Sequence, residues 1–406
     1  MRLPTIRALA APGFALFATA NGQQPVSFSE LPSLTTWECS LTGGCTPHET
    51  SVVLDWDSHY IHEVGGSTHC LSLSGVNQTL CPNATACAVN CVIEPANYAN
   101  YGIFTSGDTI ILSQYTRLDG RSLKGEPRVY LLGPDGDYMP LQLLGREISF
   151  DVDVSALPCG ENGNLYLSEI PMTGGRSELN PGGARFGSGY CSAQCEMLKW
   201  ENGTLNDSER RACCNEMDIF EGNAYATQYA AHPCTGHECA SAGCIFNPYM
   251  AGARNFWGLG MQVDTAKPLT IITQFITDDN TTSGVLVEIR RMYIQDGKII
   301  NNIPSARGSG SCTHADNFSS SVGLQPMGEA LARGMVMVLS LWSDPEHGMQ
   351  WLDGGDAGPC DLSDEEAGIQ RPNSHVVFSD VRWGEIGSTF RHKVGSASSG
   401  AYKDEL

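Results

Sequence analysis

Three carboxylates fall between Glu216 and Glu221, in the pattern E-x-D-x-x-E. Glu216-Met217-Asp218-Ile219 alternates polar and apolar, the period of a strand with one wet face and one buried face. Glu216 and Asp218 then point the same way. Glu221 stands an odd number of steps from both, so a regular strand turns it to the opposite face. One inserted residue, a β-bulge, corrects the parity. The adjacent apolar residues Ile219 and Phe220 mark where it fits. The segment demands a strand, and a bulged one if its acids are to act together.

Like charges side by side on a strand repel, and a purely structural strand has little reason to collect them. A solvated acidic strand edge is the plain reading. Glycoside hydrolysis is the chemical one. It needs an ionised carboxylate as nucleophile and a protonated carboxylic acid for the leaving oxygen, roughly 5 Å apart when configuration is retained. A third acid between them shares a proton with one partner and pushes their pKa values apart.

Elsewhere, Ser51–Leu54, Thr109–Leu112, Arg128–Leu132, Ile148–Val154, Leu165–Leu167, Leu269–Ile276, Val285–Tyr293, Met335–Trp342 and His375–Trp383 read as short strands between Gly, Pro, Asn and Asp. Many short strands with regular turn signals indicate an all-β sandwich. Helix is sparse, with Met327–Ala332 the best candidate. The 45 Gly and 21 Pro imply long loops, expected to frame a groove.

Arg2 and Arg7 flank the start of an apolar run from Ala8 to Ala20. It reads as a secretory signal peptide over 1–20, cleaved near Ala18-Thr19-Ala20 or as late as residue 22. Pro12 and Gly13 interrupt the run, and a buried N-terminal strand is the alternative. No later stretch reaches the roughly 18 apolar residues of a membrane helix. No internal repeat or long Ser/Thr/Pro linker divides the remainder. One domain is expected over 21–390, with a flexible polar tail over 391–406. The tail ends Lys403-Asp404-Glu405-Leu406, the spelling of an endoplasmic-reticulum retrieval signal.

A net charge of −21, from 24 Lys+Arg against 45 Asp+Glu, speaks against nucleic acid and anionic membranes as partners. It tolerates a neutral polysaccharide. Sixteen cysteines, an even number behind an export signal, argue for disulfides. Cys191-x-x-x-Cys195 and the vicinal Cys213-Cys214 leave a zinc site as the alternative. Spacing alone does not give the pairing. Asn-x-Ser/Thr sequons at Asn77, Asn83, Asn202, Asn206, Asn280 and Asn317 mark candidate glycosylation sites in surface loops.

CCNEMDIFEGN followed by HPC resembles the catalytic strand of glycoside hydrolase family 7, the fungal cellulases. Further similar stretches follow in order, with the cysteines in register. They are TSVVLDW (50–56), EISFDVDVSALPCGENGNLYLSE (147–169), GSGYCSAQC (187–195), TIITQF (270–275), LSLWSD (339–344), WLDGGDAGPC (351–360) and VVFSDVRWGEIGST (376–389). The likeness runs from about Leu34 to Thr389 and is greatest to the endo-β-1,4-glucanases. It implies a curved β-sandwich, a concanavalin-like jelly roll, with cellulose in an open cleft along its concave face.

The same resemblance implies Glu216 as nucleophile, Glu221 as general acid and then base, and Asp218 as the carboxyl that orients and tunes Glu216. Trp342 is expected to stack on a glucose on the non-reducing side of the cut, and Trp351 on the first glucose beyond it. Tyr166, Tyr190, Gln194, Asn162 and Arg128 match positions that line the cleft, and His232 matches a histidine beside the acid/base. Tyr60 is the expected outer aromatic platform, with Ser58 where relatives carry an aromatic. Ser192 stands where the family commonly shows Asp, so one carboxylate near Glu216 is missing.

The implied disulfides are Cys39–Cys45, Cys70–Cys91, Cys81–Cys87, Cys159–Cys360, Cys191–Cys214, Cys195–Cys213, Cys234–Cys239 and Cys244–Cys312. No metal or organic cofactor is implied. The expected partner is cellulose or another β-glucan, bound by a monomer. Rival readings are a processive cellobiohydrolase of the same family and a lectin-like glucan-binding module. The short spans Cys239–Cys244 and Trp351–Pro372 favour an open cleft over a tunnel. Mixed-linkage glucan and xyloglucan stand beside cellulose as substrates. Secretion is the expected destination, and the endoplasmic-reticulum lumen is the alternative offered by the C-terminal tetrapeptide.

Overall fold

The computed structural model describes residues 31–394, apart from 73–74, 119, 202–203, 207–209, 304–322, 345–347 and 362–372. The expected signal peptide, the end of the polar tail, Asn202, Cys312 and Asn317 lie outside the described residues. In chain order the principal strands begin with β1 (Ser33–Ser40), β2 (Gly44–Leu54), β3 (Thr109–Ser113), β4 (Arg128–Leu132) and β5 (Arg146–Asp153). Next come β6 (Glu161–Ser168), β7 (Glu216–Gly222), β8 (Thr227–His232), β9 (Cys244–Phe246) and β10 (Leu269–Thr277). The series closes with β11 (Leu286–Gln295), β12 (Lys298–Asn301), β13 (Met335–Ser343) and β14 (His375–Glu385).

The strands lie in the order β9-β8-β7-β6-β13-β4-β2-β1-β14-β5-β10-β11-β12, with β3 added on β14. β1 is the seam. It runs antiparallel to β2 along its whole length and parallel to β14 through Trp37, Glu38 and Cys39. Two layers therefore share one hydrogen-bonded ladder and fold face to face. Phe220 of β7 meets Phe150 of β5 and Phe378 of β14 at ring distances of 6.3 and 6.4 Å, which fixes the stacking of one layer on the other. All three rings are fully buried, and each contributes about 1.5–3 kcal/mol by burial. This is the all-β sandwich expected from the strand pattern.

Alternation assigns the faces. Leu165 and Leu167 of β6, and Met337, Leu339 and Leu341 of β13, enter the core between the layers. Tyr166 of β6, Tyr130 of β4 and Val336 and Val338 of β13 point the other way and cluster with Tyr138 and Tyr190. That second face carries the cleft.

The helical content is small. One helix, α1 (Ala84–Asn90), was not foreseen; the Asn83 side chain caps it by accepting from Ala86 N–H at 2.9 Å. A second, α2 (Gln325–Arg333), extends the expected Met327–Ala332 segment at both ends. Its Met327, Ala330 and Leu331 are buried, and Gly334 follows it with φ 104°. A short turn, α3 (Gln350–Asp353), carries Trp351. Seven of the eight implied disulfides are present, and the eighth would involve Cys312. Cys191–Cys214 and Cys195–Cys213 occupy the residues raised as zinc ligands, and a disulfide sulfur is not a thiolate ligand.

Candidate active site

The acidic strand β7 is bulged where parity requires. Against β6, Phe220 pairs with Leu165 and Asp218 with Tyr166, so Ile219 is the extra residue. Against β8, Asp218 pairs with Ala230 and Glu221 with Gln228, which leaves Ile219 and Phe220 together opposite Tyr229. Glu216, Asp218 and Glu221 thereby face Ser168, Tyr166 and Asn164, alternate positions on one face of β6. Ile219 and Phe220 both enter the core. The bulge turns an odd spacing into a common face.

Each acid has its own restraints. Glu216 follows the two disulfides at Cys213 and Cys214, and its Oε2 accepts from Ala193 N–H at 2.8 Å. Ser192 accepts at Oγ from Gln194 N–H at 3.2 Å. This loop thus supplies Glu216 with a backbone donor. Asp218 Oδ2 lies 3.0 Å from His232 Nε2. His232 Nδ1 lies 3.0 Å from the Ala240 carbonyl, which can only accept, so Nδ1 carries a proton.

Both oxygens of Glu221 accept from side-chain amides. Asn162 Nδ2 donates to Oε1 at 3.0 Å, and Gln228 Nε2 donates to Oε2 at 2.9 Å. Gly222 N–H donates to Asn162 Oδ1 at 2.9 Å and so fixes which end of that amide faces the acid.

Burial dominates the electrostatics. It lifts Glu216, reinforced by the charge of Asp218 and opposed by His232, to about 7. It lifts Glu221, again reinforced by Asp218, to about 8, against the two amide donors. Burial lowers His232, but the Asp218 hydrogen bond and charge outweigh it and raise the imidazole to about 9. Below that pH His232 is an imidazolium paired with Asp218. Two glutamates, both raised by burial, thus flank the Asp218–His232 pair, the kind of perturbed cluster that acid/base chemistry uses.

The acids open onto a cleft of about 600 Å³. Arg128, Tyr166, Tyr190, Gln194, His232, Trp342 and Trp351 line it. The Trp342 and Trp351 rings are stacked, 6.0 Å apart and 25° from parallel. The Arg128 guanidinium lies 3.8 Å over the Tyr190 ring and contacts Asp55 Oδ2 from Nη2 at 3.2 Å. Gln194 Nε2 donates to the Ser241 carbonyl at 3.0 Å, tying together two loops at the cleft.

Two expected cleft residues sit elsewhere. Asn162 is fully buried and touches Glu221 from below. Tyr60 stacks on His62 at 4.6 Å and donates from its hydroxyl to the Ser67 carbonyl at 2.6 Å; Ser58, and not Tyr60, belongs to the cleft wall. Asn164, Gln228 and Asp55 also line the cleft and were missed. The period of a strand places Asn164 between Asn162 and Tyr166, and places Gln228 an even number of steps before His232. That signal was available.

A bulged strand presenting paired acids to a groove in a β-sandwich defines a glycoside hydrolase. The chain belongs to glycosyl hydrolase family 7, whose model matches residues 26–390. It is 48% identical to the probable endo-beta-1,4-glucanase celB of Aspergillus terreus, over 96% of this chain and 99% of that one. Among solved structures, it matches the native endocellulase EGI of Humicola insolens with a TM-score of 0.82 and 37% identity. That match covers 90% of this chain and 98% of the other. A family 7 cellobiohydrolase from Daphnia pulex also matches, with a TM-score of 0.80 and 30% identity, over 90% and 99%.

Proposed function

We propose that the protein is a retaining endo-β-1,4-glucanase that cuts internal bonds of cellulose and related β-glucans. The observation that carries this reading is the bulge at Ile219, which gives Glu216 and Glu221 a common face. Glu216 acts as nucleophile, held by the Ala193 N–H and favoured as an anion by the nearby imidazolium. Glu221, fully buried and raised well above an ordinary carboxylic acid, protonates the leaving glycosidic oxygen. The C1–O bond breaks as the C1–Glu216 ester bond forms. Glu221, now ionised, takes a proton from water, which attacks C1 and releases Glu216 with net retention. Asp218 reinforces the burial that raises both glutamates, and it pairs with His232. Trp342 and Trp351 offer apolar faces for glucose rings on the two sides of the cut, and Arg128, Tyr166, Tyr190 and Gln194 offer polar contacts.

The endo mode is favoured over a processive tunnel by the short turn between Cys239 and Cys244 beside the cleft. The fold itself does not separate the two, since an endocellulase and a cellobiohydrolase are both similar to this chain. Viscometry on carboxymethyl-cellulose, run beside a reducing-end assay, tests the proposal. Viscosity should fall early relative to ends released; a product pool of cellobiose from the first minutes refutes it. The signal-peptide pattern and the disulfides support secretion. Among the described residues no helix is long and apolar enough to cross a membrane.

A further inference from the structure

An inserted residue in a strand leaves backbone groups out of the ladder, and a buried carbonyl without a partner is costly. Ile219, the inserted residue, is fully buried. Its carbonyl accepts a hydrogen bond from Arg291 Nη2. Arg291 lies on β11, in the opposite layer of the sandwich, and reaches through the core to the back of the acidic strand. It is 2% exposed. Its Nε donates to Thr273 Oγ1 of β10 at 3.0 Å. Its guanidinium carbon lies 4.5 Å from the centre of the Tyr229 ring, the residue of β8 that faces the bulge.

Arg291 makes no ion pair with a carboxylate among the described residues. A buried cation held by a carbonyl, hydroxyls and aromatic faces, with no carboxylate partner among the described residues, is an expensive feature for a core. It is not needed for packing, which an aliphatic side chain serves better. What the guanidinium supplies here is a donor at the carbonyl of the inserted residue, together with a flat contact to the strand across from it.

We propose that Arg291 is a positioning residue for Glu221: it clamps the bulge at the Ile219 carbonyl and the Tyr229 ring, and so sets where Glu221 stands relative to Glu216. This rests on the assignment of Glu221 as acid/base. The clamp acts on one side. Upstream, Glu216 and Asp218 have the two disulfides, the Ala193 N–H and His232. Downstream, Glu221 is held by two side-chain amides and no cross-link, Asn162 on β6 and Gln228, the neighbour of Tyr229. Loosening the clamp shifts Glu221 and leaves Glu216 in place.

The test compares Arg291→Met and Arg291→Lys with the parent enzyme by kcat/KM, which reports the glycosylation step. Two substrates are used, cellotetraose, whose leaving sugar must be protonated, and dinitrophenyl cellobioside, whose leaving group need not be. Arg291→Met should lose roughly 10²-fold on cellotetraose, the scale of a displacement of about 1 Å, and almost nothing on the aryl substrate. Labelling of Glu216 by a dinitrophenyl 2-fluorocellobioside should proceed at the parent rate. Arg291→Lys, which retains one donor, should show a smaller loss with the same dependence on leaving group, and it carries the comparison if Arg291→Met does not fold. Equal losses on both substrates, or no loss on either, overturn the proposal. Glu221→Gln in the parent, measured on the same pair, isolates the underlying assignment. If that variant also loses equally on both, the role of Glu221 fails independently of the clamp.

Discussion

Replacing Gln228 by Leu removes one of the two amides on Glu221 and moves the alkaline limb of the pH–rate profile. Gln228 Nε2 donates to Glu221 Oε2 at 2.9 Å, with both side chains buried. The donor stabilises the carboxylate over the acid and holds the Glu221 pKa below what burial alone would give. A hydrogen bond to a charged group contributes about 1.5–3 kcal/mol. At about 1.4 kcal/mol per pKa unit, its loss should raise the Glu221 pKa by roughly one to two units. The first chemical step needs protonated Glu221, so the alkaline limb of kcat/KM should move upward by that amount. The acid limb, set by Glu216, should stay within a few tenths. Gln228 Oε1 has no hydrogen-bond partner among the described residues, so Leu removes an unsatisfied carbonyl along with the donor. The fold should tolerate the change. Profiles on a soluble cello-oligosaccharide from about pH 4 to 11, with circular dichroism at each end, make the measurement. A downward shift refutes the reasoning. It would mean that the amide is turned, with its carbonyl accepting the Glu221 proton and favouring the acid.

Glu216→Gln should abolish turnover and keep the fold, since the amide matches the carboxylate in shape but is a poor nucleophile; parent-like hydrolysis of cello-oligomers would end its assignment, and NMR of first products should show the β anomer. Trp351→Ala should raise KM by about two- to tenfold with little change in aryl-cellobioside labelling of Glu216, because stacking contributes about 0.5–1.5 kcal/mol beyond burial; an unchanged KM removes Trp351 from the binding face. Stability should fall as pH rises. Glu216 and Glu221 hold protons in the folded state above their ordinary value of 4.5, up to about 7 and about 8, so the folded protein binds more protons than the unfolded chain across that window. His232, raised to about 9, adds stability fully present below 6.5 and lost through about 9, with the same sign. A Tm that climbs between pH 5 and 8 would contradict the raised values. Deleting Lys403 to Leu406 and measuring enzyme in medium and cells tests the destination; a large rise in the medium on deletion shows that the tetrapeptide retains the protein.

The fold was legible where residues obey a strict period. Ile148 to Val154 and Met335 to Trp342 alternate or run apolar between turns, and they became β5 and β13 within a residue or two at each end. β8 was not foreseen, because Thr227-Gln228-Tyr229-Ala230-Ala231-His232 has small residues where a strand signal is expected. Its position comes from tertiary pairing with β7 on one side and β9 on the other. Helix α1 escaped for a similar reason. Ala84 to Asn90 has no amphipathic period, and the Asn83 cap and the buried Cys87, bridged to Cys81, hold it in place.

At the site, parity made the bulge readable, since three acids in E-x-D-x-x-E reach one face only through an inserted residue. What parity does not reveal is how the insertion is sustained. The displaced Ile219 carbonyl is served from Arg291, 72 residues away on the opposite layer. In the segment Glu288-Ile289-Arg290-Arg291-Met292, two arginines stand side by side with nothing in sequence to tell them apart. Alternation sends them to opposite faces. Arg290 reaches Glu288 Oε1 from Nε at 2.9 Å and is half-exposed, while Arg291 points into the core. A charged residue on the apolar face of a two-layer strand is a local contradiction, and the expected place for such contradictions is a functional site. Here it lies directly behind one. The spacing of the acids was written in a short segment, and the means of holding that spacing was distributed across the sandwich, where only the packed structure brings it together.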